Sequence, residues 1–200
     1  MLEDIKNTIK QSAVYGLSRI STKLIAFILL PLLTLNLSVA EYGVYVLTES
    51  FWQILWAIFL FGFESGVVRW YFEIKDGLKK KRFLFSVAAF LLVFNLILLI
   101  LIFLFSGNIS SAVYENPGLS RFVIYAALIA AVESFSFIIF LLLRIEEKAK
   151  MYSALAVLST LISLLLQVYF LQYTLFKLEG VFISKITAPL IIILILLPYF

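Results

Sequence analysis

Arg19 and Lys23 stand four residues apart within an apolar run, Ala13–Leu37, so on a helix they share one face, with Ser12, Gly16 and Thr22 on or beside it. Two cations stacked this way repel each other unless an anion lies in front of them. A phosphate or diphosphate suits them, because the Arg fork and the Lys point charge both match phosphate oxygens. The other reading of the pair is snorkelling: Arg19 is only about 9 Å along a helix from Ala13, within reach of lipid headgroups.

Other chemistry-bearing residues are scattered singly. Glu133 falls near the middle of an apolar run beside Ser134 and Ser136. Low dielectric penalises a bare carboxylate there, so Glu133 is expected to be protonated and hydrogen-bonded, paired with a base, or a carrier of a proton or cation. Glu49 shares a helical face with Gln53, Trp56 and Leu60. Glu64 stands between Gly62 and Gly66, a G-x-x-x-G spacing that admits a close helix neighbour, and Arg69 follows five residues later. Glu64 and Arg69 read either as a gate or as an ordinary pair at headgroup level. Lys185 precedes Pro189 by one turn, which predicts a kink beside a residue that lines a cavity or snorkels; Pro31 offers a similar hinge.

The absence of other residue types narrows the chemistry. With no His and no Cys among 200 residues, there is no imidazole base, no thiolate nucleophile, no disulfide and no Cys/His zinc site. The carboxylates do not fall at metal-ligand spacing, and no Gly-rich phosphate loop is present. Neither an enzyme, nor a metal or cofactor, nor a nucleic-acid partner is expected.

The elements that must position these residues are membrane spans. At 64% hydrophobic, 16% aromatic and 14% charged, the chain belongs to the membrane class. Six stretches approach or exceed the roughly 20 residues that a span needs: Ala13–Leu37, Val44–Val68, Phe83–Ser106, Phe122–Leu143, Tyr152–Phe176 and Val181–Phe200. Backbone amides in lipid must be satisfied internally, so the expected fold class is all-α and polytopic. Residues 1–12 place Leu2, Ile5 and Ile9 at helical spacing, which predicts an amphipathic lead-in on the membrane surface. Leu24–Leu33 with Ser38-Val39-Ala40 also has the outline of a signal peptide and its cleavage site, but the charges at the start of the run and the five later stretches favour a retained span.

Orientation follows from the flanks. Eleven of the 16 Lys and Arg residues lie on one side: Lys6, Lys10, six between Arg69 and Arg82, and Arg144, Lys148 and Lys150. Arg121 and Lys177 lie on the other side, and Arg19, Lys23 and Lys185 fall within spans. The N-terminus is therefore expected in the cytoplasm of a cell whose inner membrane holds the chain, with Lys79-Lys80-Lys81-Arg82 acting as a topology signal in contact with lipid headgroups.

Several stretches together resemble a known family. Tyr15-Gly16-Leu17-Ser18-Arg19 through Pro31-Leu32, then Leu37-Ser38 with Glu41-Tyr42-Gly43 and Tyr45, are similar to the opening of Wzx-type polysaccharide-biosynthesis flippases of the multidrug/oligosaccharidyl-lipid/polysaccharide exporter superfamily. Gly62-Phe63-Glu64-Ser65-Gly66-Val67-Val68-Arg69 with Tyr71-Phe72-Glu73, and Leu143-Arg144 with Lys148-Ala149-Lys150, resemble the ends of its second and fourth spans. The resemblance implies one amino-terminal six-helix lobe of a two-lobe alternating-access fold, which would need a second lobe or partner half. It also implies a lipid-linked oligosaccharide as substrate, whose diphosphate would be met by Arg19 and Lys23. Glu133, Lys185, Glu49, Glu64 and Arg69 rest on the physical reasoning alone. Two alternatives stay open. One is a cation-coupled multidrug exporter that uses Glu133. The other is a non-transporting assembly subunit that packs through small-residue faces such as Ala126, Ala127, Ala130 and Ala131.

Overall fold

The structure is a computed structural model that describes residue 16, residues 20–25 and residues 27–196, and of Glu64 the backbone alone. The amphipathic lead-in expected over residues 1–12 and the side chain of Arg19 lie outside the described residues. Among the described residues all regular structure is helical: α1 (Ile20–Asn36), α2 (Val39–Leu60), α3 (Phe63–Glu73), α4 (Gly77–Leu104), α5 (Ser106–Tyr114), a single 3-10 turn at Pro117–Leu119, α6 (Ser120–Ile145), α7 (Ala149–Tyr173) and α8 (Lys177–Leu196).

Five stretches are long and apolar enough to cross a hydrocarbon core: Val39–Glu73, Gly77–Leu104, Pro117–Ile145, Ala149–Tyr173 and Lys177–Leu196. These are the marks of a membrane-embedded, multi-pass helical protein. The first expected span is represented among the described residues by α1, a shorter apolar helix.

The chain divides into two compact units, Gly43–Ile138 and, from both ends of the sequence, Met1–Tyr42 with Ile139–Phe200. In the Gly43–Ile138 unit, an uninterrupted helix was expected over Val44–Val68, but it is broken after Leu60. Phe61 and Gly62 both take left-handed backbone, at φ 52° and 67°. Glycine accepts this at no steric cost, whereas a bulky residue does so only when its surroundings hold it. The surroundings here are aromatic. The Phe61 ring lies 4.9 Å from Phe94, and Phe63 lies 5.4 Å from Phe90, so the break is pinned to α4. Among the described residues nothing packs close on the two glycines of the G-x-x-x-G spacing, since a Cβ built on Gly62 or Gly66 would meet no atom within 4 Å. Asp76 starts α4 by accepting a hydrogen bond from the Leu78 amide at 2.9 Å. The deepest packing falls on α6, where Phe122, Val123, Ala126, Ile129 and Ala130 are almost wholly buried.

In the other unit, Ser38 and Glu41 form a reciprocal cap at the start of α2. The Ser38 amide donates to Glu41 Oε2 at 2.8 Å, and the Glu41 amide donates to Ser38 Oγ at 3.3 Å. The serine of the supposed cleavage site therefore has a structural task. α6 ends with Glu147 in left-handed backbone at φ 56°, while the Lys148 amide donates to Leu143 O at 2.9 Å, a Schellman-type stop without glycine. α7 and α8 form a tight hairpin in which Gly180 lies directly against the Phe170 ring, leaving no room for a Cβ. Farther along, Leu143, Leu155, Ile192 and Leu196 close the core. α8 runs through Pro189 as one helix segment.

Candidate functional site

α1 positions the cation that the sequence places deepest in the first apolar run. Lys23 is exposed on α1 beside half-buried Thr22, and its apolar neighbours Ile20, Leu24 and Phe27 are exposed with it. At 1.5 Å per residue, Lys23 lies about 20 Å along the helix from Asn36. The far end of α1 is held by Asn36, whose side-chain amide donates to Leu32 O at 2.8 Å and whose carbonyl accepts from Lys177 Nζ at 3.4 Å. Lys177 thus places a cation at the carboxyl end of α1, where the helix dipole favours one. Arg19, expected to share the face of Lys23, lies outside the described residues.

A second polar locus lies between α4 and α6. Asn95, only 4% exposed, donates from Nδ2 to Ser134 Oγ at 2.6 Å, and Ser134 in turn donates to Ala131 O at 2.8 Å. The Asn95 Oδ1 is buried and accepts no hydrogen bond from the described residues. An acceptor left this way in a low-dielectric setting has a lone pair available for a donor or a small cation. Glu133 is half-buried on α6 next to Ser134, and Ser136, two residues beyond Ser134, is buried and donates to Val132 O at 3.0 Å.

The remaining expected site residues are placed less suggestively. Arg69 Nε meets Glu73 Oε1 at 3.1 Å on the exposed face of α3, an i to i+4 pair. The partner that the structure gives Arg69 is therefore Glu73, and the side chain of Glu64 lies outside the described residues. Glu49 is half-buried on α2 beside buried Thr48. Thr48 Oγ1 donates to Val44 O at 2.7 Å and lies 2.8 Å from the Tyr114 hydroxyl, a pair in which either oxygen can be the donor. Burial pushes the Tyr114 hydroxyl pKa up, with the Thr48 hydrogen bond acting the other way. Lys185 is half-buried on α8 next to buried Ser184, which donates to Gly180 O at 2.6 Å.

Two residues that matter here were not singled out from the sequence. Asn95 is a lone amide in the run Phe83–Leu104. Gln167, 4% exposed, is a buried amide in α7; it donates to Ser163 Oγ at 2.8 Å, while its Oε1 has no partner among the described residues. Their signal was present, since an uncharged amide within a span also needs a partner, but attention to charge alone passes over it. Among the described residues no group of three His, Cys, Asp or Glu side chains could hold a metal ion. Comparison with protein-family models, curated proteins and solved structures gives no match to this chain.

Proposed function

We propose that the chain is the amino-terminal lobe of an exporter that flips a lipid-linked oligosaccharide across a cell membrane, with its first helix facing the diphosphate of the substrate. The observation that carries this reading is the exposed ammonium of Lys23 on an apolar helix, about 20 Å from the Asn36 end. Against lipid tails such a cation costs about 2.5–3.5 kcal/mol or more, whereas facing a hydrated cavity and an anion it is stabilised. Arg19, one turn earlier in sequence, would make the second contact, and bidentate geometry would favour a diphosphate over a single phosphate. A second lobe, on the same chain or on a partner, would supply the opposite cavity wall.

The test is binding by the purified full chain in detergent, read by native mass spectrometry with a polyprenyl diphosphate and a polyprenyl monophosphate as probes. Preferential retention of the diphosphate, lost in Lys23→Gln and Arg19→Gln but kept in Lys23→Arg, is the expected result. Equal retention of both probes by the wild-type chain sinks the diphosphate role.

A cation-coupled exporter is favoured by a different observation, the buried Asn95 Oδ1 that has no partner among the described residues, on a side chain bonded to Ser134, the residue after Glu133. In that case Glu133→Gln abolishes coupled extrusion in cells while leaving polysaccharide export unchanged. For the assembly-subunit alternative, Ala126, Ala127 and Ala130 are covered within the chain at 0–1% exposure, whereas Ala131 is half-buried.

A further inference from the structure

α3 and α4 lie side by side and antiparallel. Phe63 meets Phe90 edge to face at 5.4 Å near the start of α3, and at its other end Lys80 Nζ sits 4.5 Å above the Tyr71 ring. The last turn of α3 therefore lies beside the first turns of α4. The apolar part of α4, Phe83 to Leu104, rises about 33 Å, which alone fills a hydrocarbon core of about 30 Å. The hairpin tip, Arg69 to Arg82, must then emerge among the headgroups.

That tip carries six cations and two acids, a net charge of +4 that equals the net charge of the whole chain. Both acids are engaged within it: Glu73 by Arg69 at 3.1 Å, and Asp76 by the Leu78 amide at 2.9 Å. Lys75, Lys79, Lys81 and Arg82 are exposed and face outward. Between and beside them Trp70, Phe72 and Leu78 are exposed at 57%, 65% and 72%. Exposed aromatic rings set at the level where the apolar run ends are suited to the membrane interface. Cations among them add attraction for negative lipid. A topology signal needs the charge alone, with no interfacial rings and no internal neutralisation of its acids.

We propose that the α3–α4 hairpin tip is a binding site for the phosphate-bearing headgroups of anionic phospholipids. Lys75, Lys79, Lys81 and Arg82 hold the phosphate oxygens, and Trp70, Phe72 and Leu78 seat the tip at the base of the headgroup layer. Lys80, held over Tyr71, stiffens the hairpin. The site is independent of any substrate that the chain carries. The α6–α7 turn is its internal control: Arg144–Lys150 holds three cations and two acids, and Lys148 is bridged to Glu146 at 2.7 Å.

The full chain, purified in detergent, is mixed with phosphatidylglycerol or phosphatidylcholine, and retained lipid is read by native mass spectrometry. Retention of phosphatidylglycerol about tenfold above phosphatidylcholine is expected, falling toward parity in Lys75→Gln/Lys79→Gln/Lys81→Gln/Arg82→Gln. A charge-preserving Lys79→Arg/Lys81→Arg chain keeps the preference, which separates loss of binding from loss of fold. Arg144→Gln/Lys150→Gln keeps it as well. Parity in the wild-type chain, an undiminished preference in the quadruple variant, or equal loss on altering the α6–α7 turn overturns the site. Displacement of phosphatidylglycerol by millimolar inorganic phosphate would overturn it in favour of a free-phosphate site.

Discussion

α4 and α6 are built from nearly the same apolar vocabulary and are used in opposite ways. In the most apolar stretch of α4 only 22% of residues are buried, whereas in Pro117–Ile145 the figure is 50%. The more apolar helix is the less buried one. α4 turns Phe85, Leu92, Leu96, Ile97 and Ile100 outward, where hydrocarbon satisfies them. α6 covers Ala126, Ala127, Ala130 and Ser134 almost completely. In lipid, burying an apolar side chain gains little over leaving it among acyl tails, so helices associate where small residues let backbones and side chains approach. Between these two helices, hydropathy does not report burial.

The contrast can be broken or sharpened by substitutions whose costs should fall in a fixed order. Ala130→Leu forces extra volume into a fully covered position and is expected to destabilise by about 3 kcal/mol, read as a lowered midpoint of denaturant unfolding in detergent. If Ala130→Leu is silent, α6 is not the packed helix and the contrast fails. Gly180→Ala applies the same rule to the α7–α8 hairpin; the Phe170 ring must move, and the expected cost is about 2 kcal/mol, seen in the thermal midpoint.

Asn95→Ala removes a side-chain hydrogen bond between α4 and α6, and should cost about 1 kcal/mol. A double-mutant cycle with Ser134→Ala isolates that coupling, and additive single effects would show that the pair does not bind the helices together. Smallest of all, Ile100→Ala on the outward face of α4 should change stability by less than about 0.5 kcal/mol. A loss there comparable with that at Ala130 would mean that the outward face of α4 is covered by another protein surface.

The expected spans can be followed in the structure to within a few residues at most ends: Tyr152–Phe176 became Ala149–Tyr173, and Phe122–Leu143 became Ser120–Ile145. Runs of apolar residues are local facts, and a helix in lipid needs little more. The break at Phe61–Gly62 was not legible, because its strain is held by Phe90 and Phe94, some thirty residues away in the chain. Arg69 meets Glu73, one turn on in the helical repeat, a pair not singled out from the sequence; the side chain of Glu64, read with Arg69 as a gate or a headgroup-level pair, lies outside the described residues. Of the site residues, Lys23 is exposed on α1. Asn95 was missed because its meaning depends on Ser134, which lies 39 residues later.

By itself the sequence determined a helical, membrane-embedded chain, the approximate course of its long helices and a marked charge asymmetry between their ends. Each of these follows from composition and short-range periodicity, since the bilayer imposes the same demands on any apolar run. Only the tertiary structure decided which faces of those helices are covered, where the second apolar stretch breaks, and which lone amide is buried with an acceptor unused. Those outcomes depend on side chains brought together from distant parts of the chain, where shape and hydrogen-bond geometry decide and hydropathy is blind.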